Sequence, residues 1–225
     1  MRKWGIVISV FYAVIVLGLL LPATIPIGGL GGPFSQEFYG NLHDFWSMGQ
    51  AWIPIGAVLA GQAILLFISV DTSFKKLKPR AHIAVSVTVA SMLVAMLAVA
   101  VFYCLDAAVR GDDFGNSYNL GTAGGMFELW GALWVLWGIV FYLYFRNSSR
   151  VTERAVSWLL KGSVLELLIA VPCHVIVRRR HDCSAPVVTS FGIVTGIAVM
   201  LLCFGPSVLF LLKKRLDGYS AHKSV

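Results

Sequence analysis

Charge is what this chain has least of. Of its 225 residues only 13% are Asp, Glu, Lys or Arg, against roughly 25% in an ordinary soluble domain. The shortfall is concentrated in several windows of about 20 residues, the length that crosses the hydrocarbon core of a bilayer. Together with 58% apolar residues, these windows exclude a soluble globular enzyme, a disordered chain and a nucleic-acid-binding module. The excess of base, +7 overall, then belongs to membrane orientation rather than to DNA or RNA. Cysteine is scarce as well. Cys104, Cys173, Cys183 and Cys203 include neither a Cys-x-x-Cys nor a paired zinc spacing, so no metal site is expected. No long linker or low-complexity tract interrupts the chain, which reads as one transmembrane domain over 1–225.

What is present is a series of apolar runs. The expected architecture is an all-α integral membrane protein, a polytopic helical bundle. Its transmembrane helices are expected near 4–23, 50–70, 81–105, 126–145, 155–177 and 187–212. The first run follows Arg2 and Lys3 as a signal peptide would. It exceeds the usual 7–15-residue apolar core of such a peptide, and no small-x-small cleavage site follows, so a retained helix is expected. The fifth run is the ambiguous one, because it contains Lys161 and Glu166. A charge near mid-membrane costs roughly 2.5–3.5 kcal/mol on an insertion scale. Its purely apolar part, from Val164, is short enough to be re-entrant or interfacial instead. Six spans are preferred on length, with five plus such a segment as the alternative.

Orientation follows from the tendency of Lys and Arg to stay in cytoplasmic loops. With six spans and a cytoplasmic N-terminus, most of the 18 basic residues fall inside, including Lys75, Lys76, Lys78, Arg80, Arg146, Arg150, Arg154, Lys213, Lys214 and Arg215. Arg178, Arg179 and Arg180 then lie outside, against the rule; with five spans they move in. Short loops and a simple basic bias fit a bacterial cytoplasmic membrane.

The densest chemistry lies between Glu166 and Cys183. On a helix Glu166, Ala170, Cys173 and His174 share one side, and Pro172 is expected to kink or break the run. An ionisable residue inside a span is by default a functional group. Glu166 is therefore the leading ion- or ligand-binding candidate, with His174 nearer the outer exit. Arg178, Arg179 and Arg180 are candidates for holding an anion, since forked guanidinium groups suit phosphate or carboxylate. Lys161 is expected to snorkel. Cys104 and Cys183 are the pair to consider for a disulfide on an oxidising outer face. Gly192 and Gly196 form a G-x-x-x-G face that permits close approach of another helix, in this chain or in a partner membrane protein.

Three functional readings result. The first is a small transporter-like or channel-like protein, or the membrane subunit of a larger complex, handling a small ion or anionic ligand near the outer face. The second is a redox protein holding haem or quinone through His43 and His174. The third is an assembly scaffold in the bilayer, for which the glycine face and the Trp130, Trp134 and Trp137 belt suffice. An intramembrane enzyme acting on lipid is disfavoured, because no nucleophile–base pair accompanies Glu166 or His174.

The topology is directly testable. In a cysteine-free background carrying Arg180→Cys, an impermeant thiol reagent is expected to label intact cells from outside. Labelling only after the membrane is opened would place the cluster in the cytoplasm and return the chain to five spans.

Overall fold

The computed structural model describes residues 7, 10–15, 17, 18, 43, 47, 52–71, 79–113, 123–146, 151–182 and 185–203. Among these the regular structure is helical throughout, with no strand. The elements are α1 (Trp52–Asp71), α2 (Pro79–Arg110), a 3₁₀ turn (Gly111–Asp113), α3 (Ala123–Phe145) and α4 (Val151–Arg179). They are followed by α5 (Ala185–Cys203). Residues 10–15 form a further helical piece. Four stretches among the described residues are long and apolar enough to cross a membrane: Ile83–Asp113, Gly125–Phe145, Val151–Arg179 and Ala185–Cys203. The chain is thus an all-α protein compatible with multi-pass insertion. Most of the predicted first span, the Lys75–Lys78 stretch, Cys183 and the last span beyond Cys203 lie outside the described residues.

α2 is the central helix and packs against α1, α3 and α4. Its run of Ala, Val and Ser lets neighbours approach closely, and Ser86, Ala90, Ser91, Leu93, Ala95 and Cys104 are fully buried. Each neighbour meets it through an identifiable device. On α1, a side chain at Gly61 would meet Leu93 at 3.3 Å and Val89 at 3.4 Å. On α3, the indoles of Trp130 and Trp134 donate to the carbonyls of Met92 (3.2 Å) and Thr88 (3.1 Å). This descending register makes α3 antiparallel to α2. On α4, the hydroxyls of Ser86 and Thr152 lie 3.3 Å apart near the start of both helices. At the other end Arg180 Nη1 donates to Ala108 O at 2.6 Å. α2 and α4 therefore run parallel, with matched ends.

That pairing bears on the ambiguous fifth run. α4 is one continuous helix of 29 residues, about 44 Å long by helix rise, rather than a segment over 155–177. The break expected at Pro172 does not occur. Pro172 and the neighbouring Leu168 are on the exposed side, so the lost backbone bond falls away from the packed face. On that packed face Leu159, Ser163, Ala170, Cys173 and Val177 keep the helix regular by burial. α2 likewise continues past its expected end at Leu105 to Arg110. Ala107 and Ala108 are buried, and Asp106 pairs with Arg110 one turn on at 2.9 Å.

The ends of α2, α4 and α5 that meet at Arg180 are tied by caps. Gly111 closes α2 with φ +65°, the left-handed conformation that glycine adopts without penalty at a helix C-terminus. His181 does the same for α4 with φ 59°, and Asp112 Oδ1 accepts from the Ala185 amide at 3.1 Å, capping α5. α3, by contrast, leaves Val135, Leu136, Ile139 and Leu143 exposed, an outward surface suited to acyl chains. Aromatic contacts join it to α4: buried Phe141 and exposed Tyr144 each reach Trp158 of α4 at 6.2 Å between ring centroids.

A side chain at Gly111 is disfavoured on two counts. Besides its positive φ, a side chain there would meet both Asp182 carboxylate oxygens at 3.2 Å. Gly111→Ala is expected to lose at least about 1–2 kcal/mol, the cost of a left-handed non-glycine residue, read as a lowered Tm in detergent.

Candidate functional site at Glu166

The inner face of α4 carries Ser163, Glu166, Ala170, Cys173 and Val177, all buried, at the three- and four-residue spacings that return to one side of a helix. Lys161 is about 140° away around the same helix and is exposed, so the two charged residues of this run serve opposite faces. Glu166 is 1% exposed. Neither of its carboxyl oxygens has a hydrogen-bond partner among the described residues.

Glycine makes room for it. α5 crosses α4 and α2 with Gly192 and Gly196 turned inward. A side chain at Gly196 would collide with the Glu166 carboxyl, and one at Gly192 would collide with the Cys104 thiol. A Cβ at Gly192 would also lie 3.5 Å from Glu166 Oε1 and 3.8 Å from the Ala100 carbonyl. Alongside lies an apolar cluster of Cys104, Ala107, Ala108, Ala170, Cys173, Val177 and Ala185, with Ile169 and Ile193 against it. The close approach anticipated for the G-x-x-x-G face is thus made inside the chain. The niche has a clear electrostatic consequence. An ionised carboxylate removed from water costs several kcal/mol unless a partner compensates it. Glu166 fits these surroundings as the neutral acid, or with a cation brought to it.

His174 lies two turns farther along α4, about 12 Å by helix rise. It is half-buried, and its Nδ1 is 2.8 Å from Thr189 Oγ1 of α5. Beyond it the arginine cluster is divided in its work. Arg180 supplies the cap on Ala108 O, whereas Arg178 and Arg179 are exposed at the end of α4. Asp182 turns toward Gly111 and keeps Oδ2 buried, with no hydrogen-bond partner among the described residues. The structure therefore brings Glu166, Cys104 and Cys173 together, then His174 with Thr189, then the arginines, in order along α4.

Other expectations are not assembled in this way. His43 is exposed, and no described contact joins it to His174. Cys104, Cys173 and Cys203 are buried and form no disulfide among the described residues; Cys183, the suggested mate of Cys104, lies outside the described residues. No group of three or more His, Cys, Asp or Glu side chains is placed to hold a metal among the described residues. Thr189 was not singled out in the sequence, although it precedes Gly192 and Gly196 at helical spacing on the face they define. No family model matches the chain, and neither a curated protein nor a solved structure is significantly similar to it.

The niche predicts coupling between two residues distant in sequence. Gly196→Ala is expected to be strongly destabilising with Glu166 present and much milder with Glu166→Ala. A double-mutant cycle on thermal stability should give a coupling of about 1–3 kcal/mol; additive effects would show that the carboxyl does not occupy the glycine niche.

Proposed function

We propose that the chain is a six-span protein of the bacterial cytoplasmic membrane, with its N-terminus inside, that carries a proton together with a small anion. The observation supporting this reading is the fully buried Glu166 carboxyl, neither oxygen of which has a hydrogen-bond partner among the described residues. A scaffold has no use for such a group, since burying a polar group without a hydrogen-bond partner costs stability. A carrier does have a use for it. Protonated, Glu166 fits the dry niche between α4 and α5. On losing the proton it carries a charge that the niche cannot solvate, so the state in which α5 has moved aside to admit water becomes favoured. One group thus links proton occupancy to conformation.

Arg178 and Arg179 give the other half of the reading. They are exposed at the end of α4, near His174 and the mouth of the Glu166 path. A positive cluster there raises the local concentration of an anion before it enters. In the six-span arrangement this mouth faces outward, opposite the Arg146, Arg150 and Arg154 end.

The test is proton flux into proteoliposomes that enclose a pH-sensitive dye. Glu166→Gln, which preserves shape and removes the titratable proton, is expected to insert normally and to lower flux by about a hundredfold or more. Undiminished flux in a correctly folded Glu166→Gln protein would remove the proposal.

A further inference from the structure

The contact between α4 and α5 at His174 contains more than a packing bond. Thr189 is completely buried, and its Oγ1 has three neighbours. It lies 3.2 Å from the Ala185 carbonyl and 3.2 Å from the Pro186 carbonyl, both in its own helix, and 2.8 Å from His174 Nδ1. A carbonyl oxygen cannot donate, so the single hydroxyl proton of Thr189 must point toward those two acceptors for the contacts to be favourable. The hydroxyl oxygen is then left to accept, and only Nδ1–H can supply the proton. The reverse arrangement, with Thr189 donating to Nδ1, would set oxygen lone pairs against each other at both carbonyls.

We infer that Thr189 holds neutral His174 as the Nδ1–H tautomer, which makes Nε2 the proton-accepting atom at the Arg178–Arg180 end of the path to Glu166. The role of a histidine's second nitrogen is set by the bond its first one makes. Here that bond has a useful property. An imidazolium also donates through Nδ1, so the bond to Thr189 persists whether Nε2 is bare or protonated. His174 can therefore take up and release a proton at Nε2 without disturbing the α4–α5 contact. Thr189 is the positioning residue and His174 the group that handles the proton. The stretch of about 12 Å between His174 and Glu166 is bordered by Cys104, Ala170 and Cys173, all buried, so it conducts only when α5 parts from α4.

The relay role rests on the proton-carrying function proposed above, whereas the tautomer does not, and the experiment separates them. Protein with ¹⁵N-labelled histidine is examined by NMR in lipid nanodiscs, with the His174 signals identified by their loss in His174→Gln. The expected spectrum has Nδ1 protonated and Nε2 bare; the opposite tautomer overturns the assignment. Thr189→Val is expected to release the Nδ1–H preference and to lower proton flux roughly fivefold, the effect of one hydrogen bond. Thr189→Ser is expected to restore both. Unchanged flux in Thr189→Val despite an altered tautomer would overturn the relay role. Equal loss in the Val and Ser variants would overturn it too, by showing that the threonine serves packing alone. If flux is also indifferent to Glu166→Gln, the transport reading falls while the tautomer stands on its spectrum.

Discussion

Everything in this fold depends on how closely α5 approaches the parallel pair α2 and α4. That approach is possible because Gly192 and Gly196 present backbone where other residues would present side chains. It removes water from Glu166, seals Cys104, and brings Thr189 within hydrogen-bond distance of His174. Association of helices in lipid gains little from the hydrophobic effect and relies on packing and hydrogen bonds. A contact built on two glycines is consequently both tight and sensitive. Van der Waals contact is lost quickly as surfaces separate, and the group it encloses changes its solvation when they do.

The ends of the bundle are held by a different kind of bond. Where α2, α4 and α5 meet, the orphan backbone groups of three helix ends are satisfied by Arg180, Asp112 and two residues with positive φ. At the opposite end, Ser86 and Thr152 join α2 to α4. Between these polar fastenings the packed surfaces are largely apolar. The arrangement fixes the lengths of α2 and α4 to each other, while α5 is tied at its start by the Asp112 cap and Thr189 and farther along by the Tyr12 hydroxyl, which donates to the Ala198 carbonyl at 2.6 Å. The arginine cluster therefore does structural work at one member and leaves Arg178 and Arg179 for the surface.

The helical character, with stretches long and apolar enough to cross a membrane, was legible because apolar windows of spanning length need no tertiary information. Glu166 was legible for the same reason: a lone carboxyl stands out where every neighbour is apolar. The bounds of α2 and α4 were harder to read. Hydropathy ends at Leu105 and begins again near Ala155, whereas caps and the Asp106–Arg110 pair extend the helices beyond the apolar core. Pro172 was read as a breaker because sequence does not reveal which side of the helix bears the missing bond. Thr189 was silent for a related reason. A threonine in an apolar helix ordinarily bonds its own preceding carbonyls, and its second role appears only when His174 of another helix arrives. Gly192 and Gly196 announced a close approach, but not the identity of the residue that would fill the space.

The burial of Glu166 also has a consequence for biogenesis. In the proposed membrane arrangement, a chain made from its N-terminus places α2 and α4 in the bilayer before α5 exists. During that interval the carboxyl lacks the α5 backbone surface that later covers it, on a helix that also bears Lys161. α5 is thus the closing element, and its arrival converts an unfavourable intermediate into a settled bundle. A polypeptide that stops short of Ala185 leaves its most polar buried group uncovered, the kind of flaw by which membrane quality control distinguishes unfinished products from complete ones.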